Sequence, residues 1–261
     1  MQLSAKIFKM LFKGKLKTVN WFFIVQILAA ITLTLTFRPI SEMFFNNFAA
    51  IFFVSSFILE ALYLIYSSLR AEKLNSNQTW RLIAVSDGQF YLANILSSLM
   101  SYIYFGIIQI ITFFMLIMLQ DVKTNFVLQD IKTIRNIIKD VGVSETIGVL
   151  FVIVLIGLTF YLFVSLIDFS SEAIVDFLPI SSGKFMVNLI RIIILVIICW
   201  IGFQVYNLVW PIIARESLSE IALNLGEYLP GNLTVFLITD IILLATNLLL
   251  ITKAFEAEPN K

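Results

Sequence analysis

Thirty consecutive residues, Phe90–Leu119, carry no charged side chain. As a helix rising 1.5 Å per residue the run is about 45 Å long. That exceeds the hydrocarbon core of a bilayer, which is about 30 Å thick. The run is therefore expected to cross a membrane with tilt or with one end protruding. It has company: 60% of the 261 residues are hydrophobic and only 13% are charged. A soluble domain is about 45–50% apolar and about 25% charged, and the excess here falls in blocks.

Six blocks are long enough to span. They are Asn20–Phe37, closed by Arg38-Pro39; about Asn47 to Leu69, containing Glu60; Phe90–Leu119; Thr146–Ile167; Ile192–Ala214; and about Leu233 to Thr252, containing Asp240. Open strands would leave backbone groups unsatisfied in lipid, and the ten-residue alternating segments of a transmembrane barrel are absent. The expected fold is an all-α membrane protein of six transmembrane helices, residues 1–261 forming one domain. No signal-peptide cleavage pattern appears at the N-terminus, so the first span is expected to be a retained anchor.

Orientation follows from the cations between spans. With the N-terminus in the cytoplasm, twelve Lys and Arg fall in inside connections and six in outside ones. Both termini are expected inside. The four cations Lys123, Lys132, Arg135 and Lys139 of the third connection are matched there by Asp121, Asp130, Asp140 and Glu145.

The connections carry pattern of their own. In residues 1–19, Lys6, Lys9, Lys13 and Lys17 share one helical face, and Leu3, Ile7, Met10 and Leu11 another. This is the pattern of an amphipathic helix lying in the cytoplasmic interface; a plain positive-inside anchor is the alternative. Within 120–145, Leu128, Ile131, Ile134, Ile138 and Val141 recur at helical spacing, which predicts an extracytoplasmic amphipathic helix too charged to span. Asp168, Glu172 and Asp176 form an acidic face where the fourth span leaves the membrane, either solvated or turned to a basic partner.

Residues 70–89, after the second span, are the most patterned. Arg70-Ala71-Glu72-Lys73-Leu74 leads to the polar Asn75-Ser76-Asn77-Gln78-Thr79. A short amphipathic piece follows, Trp80-Arg81-Leu82-Ile83-Ala84-Val85, then the expected turn Ser86-Asp87-Gly88. An exposed Trp80 beside Leu82 and Ile83 suits a docking knob, since aromatic anchors carry interface energy. Alternatively Trp80 simply rests among headgroups.

Chemistry of the covalent kind is not indicated. Histidine is absent, which removes the commonest general base and metal ligand. The single cysteine, Cys199, sits in an apolar run. No phosphate loop, H-E-x-x-H or G-x-S-x-G occurs; Ser181-Ser182-Gly183-Lys184-Phe185 lacks both the first glycine and the hydroxyl after the lysine. The chain is read as not an enzyme, with no catalytic residue, metal or cofactor of its own. A net charge of +1 gives no attraction to nucleic acid.

Glu60 and Asp240 stand out as acids inside spans, where charge is costly and faces a bundle interior or a wet path. Ser56 and Tyr63 lie close to Glu60 on nearly the same face, so Glu60, Tyr63 and Ser56 are candidates for a cargo path. The structural alternative for Glu60 is a carboxyl bonded to Gln109, Tyr63 or a Ser/Thr of a neighbouring helix. Asp240 could equally reach the interface.

The six-span plan, the basic N-terminus and the connection after span two resemble an ABC-2-type transporter permease. In that family an acid just beyond span two precedes a short helix, and a leucine, x, proline, valine, serine stretch leads into span three. Glu72 matches the acid. Ile83-Ala84-Val85-Ser86 matches the second element, with Ala84 at the usual proline, and Tyr91-Leu92-Ala93-Asn94-Ile95-Leu96 the start of span three, with Asn94 where lysine is common. Residues 211–232 suit the family's short outer-leaflet hairpin before the last span, with Tyr228-Leu229-Pro230-Gly231 at its final turn. In style the chain is closest to permeases of small Gram-positive exporters of peptides, bacteriocins and toxins.

The resemblance implies a permease subunit of an ATP-driven exporter in the cell membrane. Its partners would be a cytoplasmic ATPase in two copies, which would hold the ATP and magnesium, and a second permease chain, identical or paralogous. Glu72, Trp80, Arg81, Leu82, Ile83 and Ser86 would couple the permease to the ATPase. Two other classes stay open: a cation-coupled secondary transporter working through Glu60 and Asp240, and a non-transporting immunity or sensor protein of the membrane.

Overall fold

The computed structural model describes residues 2–37, 44–75, 85–119, 143–177 and 225–256, together with Leu189, Ile192, Ile193, Val196, Ile197 and Trp200. Among these residues the chain is all helical. Its long elements are α1 (Gln2–Phe37), α2 (Phe44–Asn75), α3 (Asp87–Leu119), α4 (Val143–Phe177) and α5 (Leu225–Glu256). Each contains a segment long and apolar enough to cross a bilayer: Ala5–Thr36, Asn47–Asn75, Asp87–Leu116, Leu150–Ser171 and Leu233–Thr252. The described part thus has the make-up of a multi-pass helical membrane protein with five candidate spans. The expected fifth span, Ile192–Ala214, lies outside the described residues except for Ile192, Ile193, Val196, Ile197 and Trp200, which are helical and expose their apolar side chains. The expected helix of 120–145 also lies outside, apart from its last residues, which open α4.

Three boundaries differ from the sequence reading. No break separates an interfacial helix at 1–19 from the first span: α1 runs unbroken through both. The reason is visible in its buried stripe, Ile7, Leu11, Lys15, Val19, Gln26, Ala30 and Thr34, which continues along one side of the helix across the expected joint. The expected turn Ser86-Asp87-Gly88 is instead the start of α3. Ser86 stands at the N-cap position, and Ser86-x-x-Gln89 is a capping-box sequence, with Asp87 placing negative charge at the positive end of the helix dipole. Finally, Tyr228–Gly231 belongs to α5. Pro230 there costs one backbone bond, since it has no N–H for the carbonyl of Gly226. Residues 211–224 of the expected hairpin are outside the described ones.

The chain divides into two compact units, Met1–Asn75 with Gln89–Asp140, and Ser76–Gly88 with Val141–Lys261. In the first, α1, α2 and α3 enclose two apolar clusters. One is Ala30, Phe48, Ala49, Phe52 and Leu116; the other is Val19, Tyr63 and Phe105, with Phe22 edge-on to Tyr63 at 5.4 Å between ring centroids. In the second, α4 packs along α5. The buried residues Leu155, Leu162 and Phe169 recur every seven residues on α4, as do Asp240 and Asn247 on α5, a spacing that keeps one face of a long helix on its neighbour. Outward faces are apolar in both units: Leu28, Phe57, Ile58, Leu69 and Met115 of the first, and Ile147, Ile241, Ile242 and Leu249 of the second, are all exposed. Hydrocarbon is the solvent that suits them. Hydroxyls on these helices bond back to the preceding turn, as Thr32 does to Leu28, Thr112 to Ile108 and Thr246 to Ile242, so they present no bare donor to lipid.

Candidate functional site

The densest polar cluster lies where α2 ends and α3 begins. Its centre is Lys15 of α1, only 4% exposed. A buried ammonium must be surrounded by acceptors. The Lys15 Nζ donates to the Asn94 carbonyl at 2.8 Å, Asn94 Oδ1 at 2.7 Å, Ser97 Oγ at 2.7 Å and Ser98 Oγ at 2.5 Å. Three ammonium protons serve four oxygens, so one proton is shared. Glu72 attracts this ammonium and Arg70 repels it.

Asn94 passes the connection on. Its Nδ2 donates to the carbonyl of Ala71 at 2.8 Å and to Asn75 Oδ1 at 2.7 Å. Asn75 in turn donates to Glu72 Oε2 at 3.3 Å. Nearby, Arg70 Nη1 donates to Thr18 Oγ1 of α1 at 2.5 Å. The last turns of α2, the first turns of α3 and the N-terminal half of α1 are thereby tied together. The small side chains Ala93, Ser97, Ser98 and Ser101 on α3 allow the helices to approach this closely.

The sequence-predicted coupling residues divide accordingly. Glu72 is 7% exposed and belongs to this interior cluster, where it accepts from Asn75. Ser86 is exposed, immediately before α3. Trp80, Arg81, Leu82 and Ile83 lie outside the described residues. The residues that hold the two ends of their segment, Asn75 and Asn94, are the ones described.

Deeper along the same three helices the ties continue. Tyr63, 1% exposed, donates its hydroxyl to Ser101 Oγ at 2.7 Å. Gln26 Nε2 donates to Ser56 Oγ at 2.8 Å, and Gln109 Nε2 donates to Gln26 Oε1 at 2.9 Å. The candidate path residues therefore have unlike roles. Ser56 and Tyr63 are bonded to α1 and α3. Glu60 is half-buried, and no hydrogen bond reaches it among the described residues. Its Oε1 lies 3.3 Å from the point a Cβ would occupy on Gly106, so the carboxyl sits in the notch that glycine leaves on α3.

In the second unit Asp240 is 4% exposed, accepting from Thr159 Oγ1 at 2.7 Å through Oδ1, while Oδ2 is buried without a hydrogen-bond partner among the described residues. It does not reach an interface; it ties α5 to α4. Asn247 Nδ2 donates to the carbonyl of Leu162 at 2.8 Å on the same side of α5. Asp168 is half-buried on α4, which runs helical through Glu172 and Asp176 to Phe177. Among the described residues no three His, Cys, Asp or Glu stand close enough to hold a metal ion.

Sequence reasoning missed the central residue. Lys15, one of the twelve Lys and Arg in the inside connections, lies on the stripe Ile7, Leu11, Lys15, Val19, not on the face of Lys6, Lys9, Lys13 and Lys17. The signal was the four-residue step shared with three apolar neighbours, opposite a face of Asn94, Ser97, Ser98 and Ser101 within the charge-free run Phe90–Leu119. Comparison with protein-family models, curated proteins and solved structures finds no match for the chain.

Proposed function

We propose that this chain is the transmembrane permease subunit of an ATP-driven exporter of the ABC-2 type, in the plasma membrane with both termini cytoplasmic. It would work as one of two permease chains, identical or paralogous, with two copies of a cytoplasmic ATPase that binds the ATP and magnesium. The cargo would be amphipathic or hydrophobic: a peptide, bacteriocin, toxin or lipid-like molecule. It would enter sideways from the bilayer and leave along a path between the two permeases, lined by spans one, two and five.

The observation that carries this reading is the mounting of the α2–α3 connection. Its departure point, Asn75, is hydrogen-bonded to Asn94 in the second turn of the helix to which it returns, and Lys15 joins α1 to the same residue. A force applied to the Trp80–Val85 segment would reach three helices together instead of unwinding one helix end. A coupling element requires such a mount. A sensor or immunity protein has no need to brace a short cytoplasmic connection against three spans.

The reading is tested by isolating the tagged chain in mild detergent from its native membrane. A P-loop ATPase subunit should accompany it in equimolar amount, with hydrolysis that depends on the chain. Isolation without any ATPase, combined with transport that stops on adding a proton uncoupler at constant ATP, would overturn it in favour of a cation-coupled carrier.

A further inference from the structure

Glu60 has no hydrogen-bond partner among the described residues. A carboxylate at hydrocarbon depth needs hydrogen bonds or a countercharge. The side chain is too short to reach water from more than two turns inside the helix end. Each neighbour expected to satisfy it is engaged elsewhere: Gln109 donates to Gln26, Tyr63 donates to Ser101, and Ser56 receives Gln26. The cation nearest along α2, Arg70, donates to Thr18.

The surroundings of Glu60 are aromatic and open outward. One turn before it on α2, Phe57 is 61% exposed, and Phe53 is 46% exposed. The two rings meet edge to face at 5.1 Å between centroids. Phe53 also meets Phe113 of α3 at 5.1 Å, so the aromatic group bridges the α2–α3 edge on which Glu60 fills the Gly106 notch. Tyr102 lies one turn before Gly106 on α3. A carboxylate one helical turn from an exposed ring and two turns from a ring cluster is the chemistry that suits an extended organic cation: the ring quadrupoles and the carboxylate both attract positive charge, and the apolar edges take up the rest of the molecule.

We propose that the α2–α3 edge around Glu60 is a binding site for a positively charged amphipathic cargo, with Glu60 as countercharge and Phe53, Phe57 and Phe113 as its aromatic wall. This rests on the exporter reading and supplies its cargo class. It accounts for an acid that has no partner among the described residues, on a face otherwise suited to lipid. The site would reject anionic cargo and favour lysine- or arginine-bearing peptides and lipophilic cations over neutral molecules of equal size.

The test needs no ATPase, so its failure is separable from failure of the exporter reading. The purified chain in lipid nanodiscs is equilibrated with radiolabelled tetraphenylphosphonium and, in parallel, with uncharged triphenylphosphine oxide. Saturable binding of the cation is expected, with Glu60→Gln weakening it about tenfold, the equivalent of one lost charge contact. Phe57→Ala, on an exposed position that the fold does not need, should weaken it about threefold to fivefold. Neither substitution should change retention of the neutral compound. Cation affinity that survives Glu60→Gln, or equal binding of the charged and neutral compounds, would overturn the site while leaving the exporter proposal to its own test.

Discussion

The two units hold their helices by different means. In the first, three helices are joined by a run of side-chain hydrogen bonds that starts at Lys15, Asn94 and Asn75 and reappears at Tyr63–Ser101 and Gln26–Gln109. In the second, the buried apolar residues Leu155, Leu162 and Phe169 of α4 recur every seven residues, and the described side-chain ties to α5 include Thr159–Asp240 and Asn247–Leu162. In lipid, apolar faces gain little by meeting each other, because the solvent is equally apolar. Polar ties and close packing must then supply the specificity. The first unit has invested in polar ties most heavily at one end, where the connection expected to receive a partner is attached.

Breaking the heaviest tie should show the largest effect. Asn94→Leu removes one acceptor from Lys15 and both bonds to α2, those to the Ala71 carbonyl and to Asn75 Oδ1. A loss of about 3 kcal/mol is expected in reversible unfolding in mixed micelles, at roughly 1 kcal/mol per lost bond. Lys15→Met should cost less than Asn94→Leu, because Ser97 and Ser98 already donate to the Asn94 carbonyl and need no replacement. The reverse order would place the load on the charge instead of on Asn94.

In the second unit the corresponding loss should be smaller. Asp240→Leu forfeits one interhelical bond and should cost about 1 kcal/mol, within the range found for such bonds in membranes. Asp240→Asn should be nearly silent in the same assay, since an amide oxygen still accepts from Thr159. If Asp240→Leu proved as damaging as Asn94→Leu, the contrast between the units would collapse.

The smallest effect belongs on the exposed basic face. Lys9→Cys should change stability by no more than about 0.5 kcal/mol, which makes it a sound topology probe in a Cys199→Ser background. Lys15, being buried, is unsuitable for that purpose. With the termini inside, an impermeant thiol reagent added to intact cells should label Lys132→Cys and spare Lys9→Cys. The opposite pattern would invert the orientation and put the α2–α3 connection outside, beyond the reach of any ATPase.

Much of this could be read before the structure. Apolar runs announced the helices, because in lipid a helix must satisfy its backbone internally: α3 begins three residues before the expected Phe90–Leu119 and ends with it, and α2 extends the expected Asn47–Leu69 by three residues at its start and six at its end. Boundaries at the membrane edge were harder. A glycine-containing turn was expected at Ser86–Gly88, where the capping-box spacing to Gln89 governs instead; at Pro230-Gly231 a helix tolerates what looks like a stop. The joint expected after residue 19 vanished because a change of composition is not a change of backbone. The interior network was the least legible part. A lysine among four others reads as topogenic charge until its four-residue step is compared with the polar face of α3. Glu60 was recognised as anomalous, but only the partners chosen by Gln109, Tyr63 and Ser56 show that it stands outside the ties.

The central proposal is that an ATPase would act on the bundle through the connection after α2, whose ends are held by Lys15, Asn75 and Asn94. Its most direct test is Trp80→Ala combined with Arg81→Glu, read as ATP hydrolysis and transport by the isolated complex in the same proteoliposomes. The account predicts a chain that still inserts and folds, with hydrolysis no longer stimulated by cargo and transport per ATP reduced at least about tenfold, the loss of roughly one interface anchor. Unchanged assembly together with unchanged stimulated hydrolysis would contradict it, and would move the docking surface away from this connection to the acidic face of Asp168, Glu172 and Asp176.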